Sequence, residues 1–456
     1  MSLHGLKRQR VGAVVAAGLA AAIVLAGCTS GASGGSGGGS GGSATAGTVN
    51  WWGWTPDIDV ANREIAGFEK QYPNIKVVFK KTEDASYNAA IRPALNSSVG
   101  PDVFDMATGG AVGSIKNFGV QATDLTPAMS KLLGANWKSQ IYGPGVTDFT
   151  SGGKLLATPV GKVTSGFLWI NQDLFTKYHL TPPTTLAQWI NVCKVFRSNG
   201  LGCLKEGVDA AGFETDTLHT IANSVQPGFW EKAVTGQAKW TDPAYVKTLT
   251  IWKNLQSDGI LDPGALGIQQ YPDANNAFLS GKAPMVQMGT WYRQYTEKPS
   301  LQAAISAAGV SSSTKLPTIV PIPFPNVGGS NPALFGDPDF GLAVSSRSKV
   351  QNAATTFALW LSTQKAGQQI VTDNLDEDPV IQGISPNWSA LPLVNPSAQT
   401  PAIKTLSQRV AGATQPRQAN ISAALLQAID DSASTALAGK ATPAQAAATL
   451  QNNSGQ

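Results

Sequence analysis

A strand–helix–strand pattern over residues 48–79 constrains the fold of this chain most. Segments 48–52 (TVNWW) and 75–79 (IKVVF) are short apolar runs typical of buried strands. The apolar residues between them recur at helical spacing: Ala61, Ile65, Phe68 and Tyr72. We expect Thr55 to cap this helix and Pro56 to open it. Such a unit implies two parallel strands joined by a right-handed crossover, so the pattern predicts an α/β fold.

The same alternation continues along the chain. Further strands are predicted at 100–106, 153–159, 166–171, 284–289 and 340–344. Further helices are predicted at 87–97, from 173, from 184, at 243–257, 274–279, 353–361 and 421–437, and from 442. Pro93 is expected in the first turn of its helix. Residues 310–338 are rich in Pro, Gly and Ser, which indicates a long connection and not a core element.

The N-terminus has the layout of a secretory signal. Lys7, Arg8 and Arg10 precede an uncharged apolar run over 11–26, and LAGC ending at Cys28 resembles the bacterial lipobox. We predict a signal peptide over 1–27 and acylation of Cys28, with palmitate as one of the chains. The alternative is a retained N-terminal anchor with an incidental cysteine. In the lipoprotein prediction, residues 28–47 are the lipidated cysteine and a Gly/Ser linker with a span of about 25 Å.

Charge and cysteine content narrow the function further. The chain has 33 basic and 29 acidic residues, and three of the basic ones lie in the predicted signal peptide. The rest of the chain therefore has a net charge near zero, which gives no support to nucleic-acid binding. Cys193 and Cys203 are expected to form a disulfide in an exported protein, with two free thiols as the alternative. A metal site is not expected, because the three histidines form no spaced cluster with these cysteines.

A series of longer stretches resembles the family 1 extracellular solute-binding proteins, which deliver sugars to ABC importers. The matching stretches are VNWWGWTP, FEKQYPNIKVVF, GPDVFDM, GKLLATPVG, FLWINQDLFTKYHLTPPTTLAQW, NNAFLSGKAPMVQMGTW, FGLAVSSRSKVQNAATTFALWL and AGKATPAQAAATLQ. The resemblance implies a periplasmic-binding-protein-like fold, in which two α/β lobes close on a ligand by a hinge. Carried onto this chain, lobe 1 is 48–157 plus 341–378 and lobe 2 is 160–338 plus 388–450. Crossings between the lobes are expected near 158–161, 339–341 and 376–390.

The same resemblance implies a function. We expect a monomeric receptor that is lipid-anchored on the extracytoplasmic face of a membrane. The composition indicates a Gram-positive organism. It would bind a mono- or oligosaccharide and pass it to the permease subunits of an ABC importer, with no cofactor and no catalysis.

A sugar offers flat C–H faces and a ring of hydroxyls, so aromatic planes and polar side chains are the expected ligand contacts. Trp52 and Trp54 end the first strand, where open α/β sheets meet their ligands, whereas Trp51 is expected in the core. The other aromatic candidates are Trp230, Trp291, Tyr292 and Trp388. The polar candidates are Glu83, Asp84, Asp105, Thr108, Asn171, Asp376 and Arg417. Trp169, Trp189, Trp252 and Trp360 follow helix or strand patterns and are predicted core residues.

Two other classes of function stay open at this point. A surface enzyme acting on glycosides with paired carboxylates is one, although no Gly-x-Ser-x-Gly and no His-Glu-x-x-His occurs. A lipoprotein that binds a polyol or peptide is the other.

Overall fold

The computed structural model describes residues 46–110, 112–209, 212–310 and 315–455. The predicted signal peptide and Cys28 lie outside these residues. Within the described ranges, no helix is both long enough and apolar enough to span a membrane.

The strands of the described residues fall into four sheets. In chain order they are β1 (Gly47–Gly53), β2 (Ile75–Lys81), β3 (Val103–Met106), β4 (Thr150–Ser151), β5 (Lys154–Leu155), β6 (Thr158–Pro159), β7 (Gly161–Ser165), β8 (Phe167–Asn171), β9 (Leu204–Lys205), β10 (Met285–Gln287), β11 (Ile319–Pro323), β12 (Phe335–Pro338), β13 (Gly341–Val344) and β14 (Asp378–Pro379).

Helices cover these sheets. In chain order they are α1 (Ile58–Gln71), α2 (Asp84–Leu95), α3 (Ile115–Phe118), α4 (Thr126–Leu133), α5 (Gly143–Asp148), α6 (Gln172–Lys177), α7 (Leu186–Ser198), α8 (Glu214–Val225), α9 (Phe229–Val234), α10 (Pro243–Ser257), α11 (Asn275–Leu279), α12 (Lys298–Ala307), α13 (Gln351–Thr363), α14 (Lys365–Asp373), α15 (Pro396–Val410), α16 (Ala423–Leu437) and α17 (Pro443–Asn453). A 3-10 helix, Thr290–Thr296, follows β10.

The first sheet has the strand order β2-β1-β3-β13-β6. β1 runs parallel to both β2 and β3, which confirms the parallel pair predicted from the opening pattern. Trp51 is fully buried in its core, as expected, with its ring 4.3 Å from that of Phe79. Helices α1 and α13 supply the other side of this core through Phe68 and Phe357.

The second sheet has the order β11-β8-β10-β9 and is covered on both faces. Side chains of β8 alternate between two cores, with Leu168 and Ile170 in one and Phe167 and Trp169 in the other. This explains why β8 reads as a continuous apolar run and not as an alternating strand. Beside this sheet, a disulfide joins Cys193 of α7 to Cys203, with the two Cα atoms 5.2 Å apart.

A third sheet, β12-β7-β14, carries the chain between the other two. Along the chain, β7 follows β6 of the first sheet and precedes β8 of the second. In the same way, β12 follows β11 of the second sheet and precedes β13 of the first. The short strand β14 pairs with the opposite edge of β7. We call β7, β12 and β14 the connecting strands. Any rotation of the first sheet against the second must be absorbed near them.

Three local expectations were wrong. α1 begins at Ile58 and not after Thr55, because the Thr55 N–H is held by the Asp105 carboxylate at the end of the first sheet. Pro93 lies in the last turn of α2 and not the first. Residues 310–338 contain β11 and β12. β11 is an edge strand, where its two prolines are tolerated.

Candidate functional site

A cavity of about 440 Å³ lies between the first sheet, the connecting strands and segments packed around the second sheet. One wall comes from residues that follow β1, β2 and β3 of the first sheet, and the opposite wall comes from segments packed around the second sheet. The connecting strands contribute Val163, Asp337 and Pro338. Its volume lies in the range of small-molecule sites, and its position matches the carboxyl ends of parallel strands where open α/β sheets bind ligands.

Three aromatic side chains form the cavity wall on the side of the second sheet. The indole N–H of Trp291 donates to the Tyr271 hydroxyl at 3.0 Å. The ring of Phe213 lies 5.6 Å from that of Tyr271 and 6.3 Å from that of Trp291. Trp291 is only half-buried, so part of its ring faces the cavity. We call Phe213, Tyr271 and Trp291 the aromatic wall.

Gly289 makes room for this arrangement. A Cβ at Gly289 would lie 2.0 Å from the Trp291 ring, closer than any real contact. This glycine, two residues after the end of β10, therefore leaves the space that the indole occupies. On the other side of Trp291, the Arg417 guanidinium sits 4.9 Å from the ring centroid, within cation–π range.

Trp54 lines the opposite side of the cavity. It is 9% exposed and packs edge-on against Tyr87 at 5.0 Å. Gly113 adopts a positive φ of 61°, and a Cβ there would lie 2.4 Å from the indole. Trp54 is thus held rigidly in the core with one edge on the cavity, so it presents a smaller surface than Trp291.

An ion pair between Asp57 and Lys81 lies at the same wall. The second oxygen of Asp57 accepts from the Tyr295 hydroxyl at 2.6 Å, which ties this wall to the segment after β10. Burial by itself raises the pKa of Asp57, but the charge of Lys81 and the hydrogen bonds from Lys81 and Tyr295 outweigh it. The pKa of Asp57 is therefore lowered and its carboxylate stays ionised.

Arg417 is held from the side of the second sheet. Its Nε donates to both oxygens of Asp216, each at 2.9 Å. Backbone N–H groups of Arg417 and Ala419 donate to the Asp337 carboxylate at 3.0 and 2.8 Å, and Gln418 N–H does the same. The guanidinium is therefore fixed between the aromatic wall and the connecting strands.

Carboxyl groups without such partners also line the cavity. Burial raises the pKa of Asp84 to about 7, with the charges of Glu83 and Asp339 acting in the same direction and those of Lys81 and Arg417 against it. Asp376 is buried and accepts from Gln294 Nε2 at 2.8 Å. Burial, together with the carboxyl groups of Glu64 and Asp339, raises the pKa of Asp376 well above its ordinary value. A raised pKa favours the protonated form of these carboxyl groups, which can donate a hydrogen bond as well as accept one.

The structure brings seven of the predicted contacts to one cavity: Trp54, Glu83, Asp84, Thr108, Trp291, Asp376 and Arg417. The predicted core tryptophans Trp51, Trp169, Trp189, Trp252 and Trp360 are all buried, as expected.

Three predicted aromatic contacts do not line the cavity. Trp230 is fully buried and stacks on His219 at 4.9 Å in the core beside the second sheet. Tyr292 is also buried, and its hydroxyl donates to Asn275 at 2.9 Å. Trp388 contacts Lys404 in a separate small cluster.

Three other predicted contacts have structural partners elsewhere. Trp52 lies under the Lys80 ammonium, which is 3.5 Å from the ring centroid. Asp105 is buried and accepts from the indole N–H of Trp51 at 2.7 Å. Asn171 caps α6 by accepting from the backbone N–H of Leu174 at 3.2 Å.

Sequence reasoning missed several lining residues: Asp57, Lys81, Phe213, Tyr271, Gln294, Tyr295 and Asp339. The positions of Asp57, between β1 and α1, and of Lys81, at the end of β2, are a signal that could have identified them. Phe213 and Tyr271 lie in irregular segments, where no periodic pattern marks a side chain as facing a site.

Two covered sheets, connecting strands between them and a cavity where they meet define the class of two-lobed α/β ligand-binding proteins. Residues 52–368 match the family of bacterial extracellular solute-binding proteins, and the chain belongs to that family. It is 22% identical over 282 residues to an uncharacterized ABC transporter extracellular-binding protein of Pyrococcus horikoshii. That match covers 59% of this chain and 62% of the relative, so the chain spans less than two thirds of the relative's length.

Solved structures show the same fold. A protein studied for xylan utilization in Caldanaerobius polysaccharolyticus is 23% identical with a TM-score of 0.70, covering 89% of this chain and 99% of its own. A maltose-bound protein of T. maritima is 16% identical with a TM-score of 0.68, covering 89% and 98%. At these identities the likeness shows the fold, which is periplasmic-binding-protein-like.

Proposed function

We propose that this chain is an extracytoplasmic receptor that binds a mono- or oligosaccharide in the cavity and delivers it to an ABC importer. The observation that carries the proposal is the aromatic wall facing a surface of charged and polar side chains. The half-exposed Trp291 ring offers a plane for the C–H face of a sugar. Asp84, Asp376 and Arg417 offer fixed acceptors and donors for its hydroxyls. One of the two similar structures is maltose-bound and the other was studied for xylan utilization, which supports this proposal.

The mechanism follows from the position of the cavity. We assign residues 48–157 plus 341–378 to lobe 1 and 160–338 plus 388–450 to lobe 2, as predicted from the sequence. A ligand that contacts both lobes stabilises the closed arrangement by its preference for that arrangement over the open one. The connecting strands absorb the rotation. The closed form then presents the surface that docks on the permease.

Attachment to the membrane completes the proposal. Acylation of Cys28 would tether the domain through the Gly/Ser linker. Growth of the producing cells with labelled palmitate should label the parent protein and leave a Cys28→Ser variant unlabelled. If the unsubstituted protein takes up no labelled palmitate, the lipid anchor is contradicted and the saccharide proposal is not affected.

A ligand screen tests the binding function. Thermal-shift measurements over saccharides, polyols, amino acids and peptides should give the largest shifts with saccharides, because a ligand at 100 times its Kd adds about 2.7 kcal/mol of stability. Calorimetry with the best saccharide should saturate at one ligand per chain, and chromatography should recover that saccharide unchanged. Cleaved saccharide would instead support an enzyme, and shifts confined to peptides or polyols would overturn the saccharide assignment.

A further inference from the structure

The backbone of Trp291 is held by two side chains that follow it in the 3-10 helix Thr290–Thr296. The Nε of Arg293 donates to the Thr290 carbonyl at 3.0 Å, in the peptide group directly before Trp291. The Nε2 of Gln294 donates to the carbonyl of Trp291 itself at 3.1 Å. Arg293 and Gln294 are 2% and 4% exposed. Buried donors therefore hold the peptide groups on both sides of the Trp291 side chain.

The same two side chains reach the segment that forms β14. The Nη1 of Arg293 donates to Asp378, the first residue of β14, at 2.7 Å. The Nε2 of Gln294 donates to Asp376, two residues earlier in the chain, at 2.8 Å. Each side chain thus joins a backbone carbonyl beside the indole to a carboxylate at β14.

A further hydrogen bond joins the 3-10 helix to β7. The backbone N–H of Thr164, in β7, donates to the Thr290 hydroxyl at 2.9 Å. Trp291 therefore lies on a helix that is tied to two of the three connecting strands. Any rotation of the first sheet against the second is absorbed near these strands, so the segment that moves also holds the aromatic wall.

The ion pair between Arg293 and Asp378 is a poor source of stability. Taking two charges out of water is costly, and among the described residues Arg293 Nη2 and Asp378 Oδ2 are buried without a hydrogen-bond partner. A buried pair that is only partly satisfied adds little net stability, but it restricts the arrangement of the groups around it. The effect of this pair is therefore expected in the position of its neighbours.

We propose that Arg293 is a positioning residue for saccharide binding, which sets the Trp291 indole against the cavity through its bonds to Thr290 and Asp378. Arg293 does not itself line the cavity, so it acts through Trp291 and not by contact with the sugar. This inference rests on the proposed function and adds a residue that determines affinity at the same cavity. Gln294 makes corresponding bonds, but it lines the cavity, so Arg293 gives the cleaner test.

A double-mutant cycle tests whether Arg293 acts through Trp291. Calorimetry uses the tightest binder among maltose, cellobiose, xylobiose and the longer saccharides of the thermal-shift panel. Arg293→Gln should raise Kd about tenfold in the parent but less than about twofold in the Trp291→Ala background, because the ring that it positions is then absent. A merely structural role of Arg293 would give the same loss in both backgrounds.

Arg197→Gln is the matched control. Arg197 makes the same kinds of bond away from the cavity, with Nε donating to the Gly259 carbonyl at 2.7 Å and Nη2 to Asp262 at 2.9 Å. This variant should keep Kd within about twofold of the parent, even where urea denaturation shows a similar loss of stability. If Arg293→Gln does not fold, the double variant Arg293→Gln, Asp378→Asn replaces it in the cycle, because that variant leaves no unpaired charge.

Fluorine NMR reports the position of the ring without any ligand. With 5-fluorotryptophan in place of the 12 tryptophans, the Trp291 resonance is the one that disappears in Trp291→Ala. Arg293→Gln should shift or broaden this resonance, and it should leave that of Trp388, assigned in the same way, unchanged. Arg197→Gln should leave both resonances as they are in the parent.

The outcomes separate this inference from the proposed function. The positioning role is overturned, and the saccharide receptor left standing, by any of three results: a Kd of Arg293→Gln within about twofold of the parent, an equal loss in both backgrounds, or an unaltered Trp291 resonance. Failure of every saccharide in the panel to bind overturns the proposed function, and the role of Arg293 in saccharide binding with it. The NMR comparison then still decides whether Arg293 positions the ring.

Discussion

Replacing Trp291 with alanine is the sharpest test of the aromatic wall. The substitution removes the half-exposed ring, its hydrogen bond to Tyr271 and its contact with the Arg417 guanidinium. Truncating a central aromatic anchor costs about 2 kcal/mol of binding free energy or more, which corresponds to an increase in Kd of about thirtyfold. The assay is calorimetric titration with the saccharide that gives the largest thermal shift.

Folding should survive this change. Removing a fully buried tryptophan costs about 3–5 kcal/mol, and a half-buried one costs less, which is below the typical total stability of about 5–15 kcal/mol. A denaturation curve of the variant checks this directly.

Trp388→Ala is the matched control. Trp388 is also half-buried and also has a cation against its ring, Lys404 at 5.3 Å, but it does not line the cavity. It should leave Kd within about twofold of the parent value. The reasoning fails if Trp291→Ala binds within about threefold of the parent, or if both variants lose affinity equally.

Three further predictions follow from particular contacts. Gly289→Ala should displace the Trp291 ring and weaken binding, with folding retained because the backbone there has an ordinary negative φ; unchanged Kd would contradict it. A Cys193→Ser, Cys203→Ser double variant should lose about 3 kcal/mol of stability in the chain-entropy model, measured by urea denaturation, and an unchanged midpoint would count against the disulfide. Burial raises the pKa of Glu206 from 4.5 to about 8, so parent stability should fall as pH rises through this window. Glu206→Gln should flatten that fall between pH 5 and 8, and an unaltered slope would contradict it.

The sequence predicted cavity-lining residues best at the ends of strands. Trp54, Asp84 and Thr108 all follow strands of the first sheet, and the α/β pattern places such ends together. Trp291 also follows a strand, β10. In each case a regular element fixes the position of the residue, so local pattern carries information about the site.

Site residues in irregular segments could not be predicted from the sequence. Trp230 comes shortly after a Pro-Gly pair that suggests a loop, but it lies in the first turn of α9. Its ring packs against His219 and Trp240. Phe213 and Tyr271 come to the aromatic wall through tertiary packing that no local spacing records. The choice between a core tryptophan and a cavity tryptophan depends on which neighbours cover it, and a single sequence does not contain that information.

The helices and strands were more predictable from the sequence than the residues that line the cavity. The helix expected over 243–257 is found as α10 with those bounds, and Thr442 caps α17 through a capping box with Gln445. β11 and β12 were missed because prolines and glycines hide their strand character. Edge and connecting strands tolerate such residues, so composition alone misreads them as loop.

Small-angle X-ray scattering on the receptor with and without saccharide tests the central claim most directly, which is that one saccharide is held between two lobes that close on it. We predict that the radius of gyration falls as ligand is added and that the midpoint of the fall agrees with the calorimetric Kd. A protein that is saturated by calorimetry yet keeps the same radius of gyration would contradict closure around the ligand.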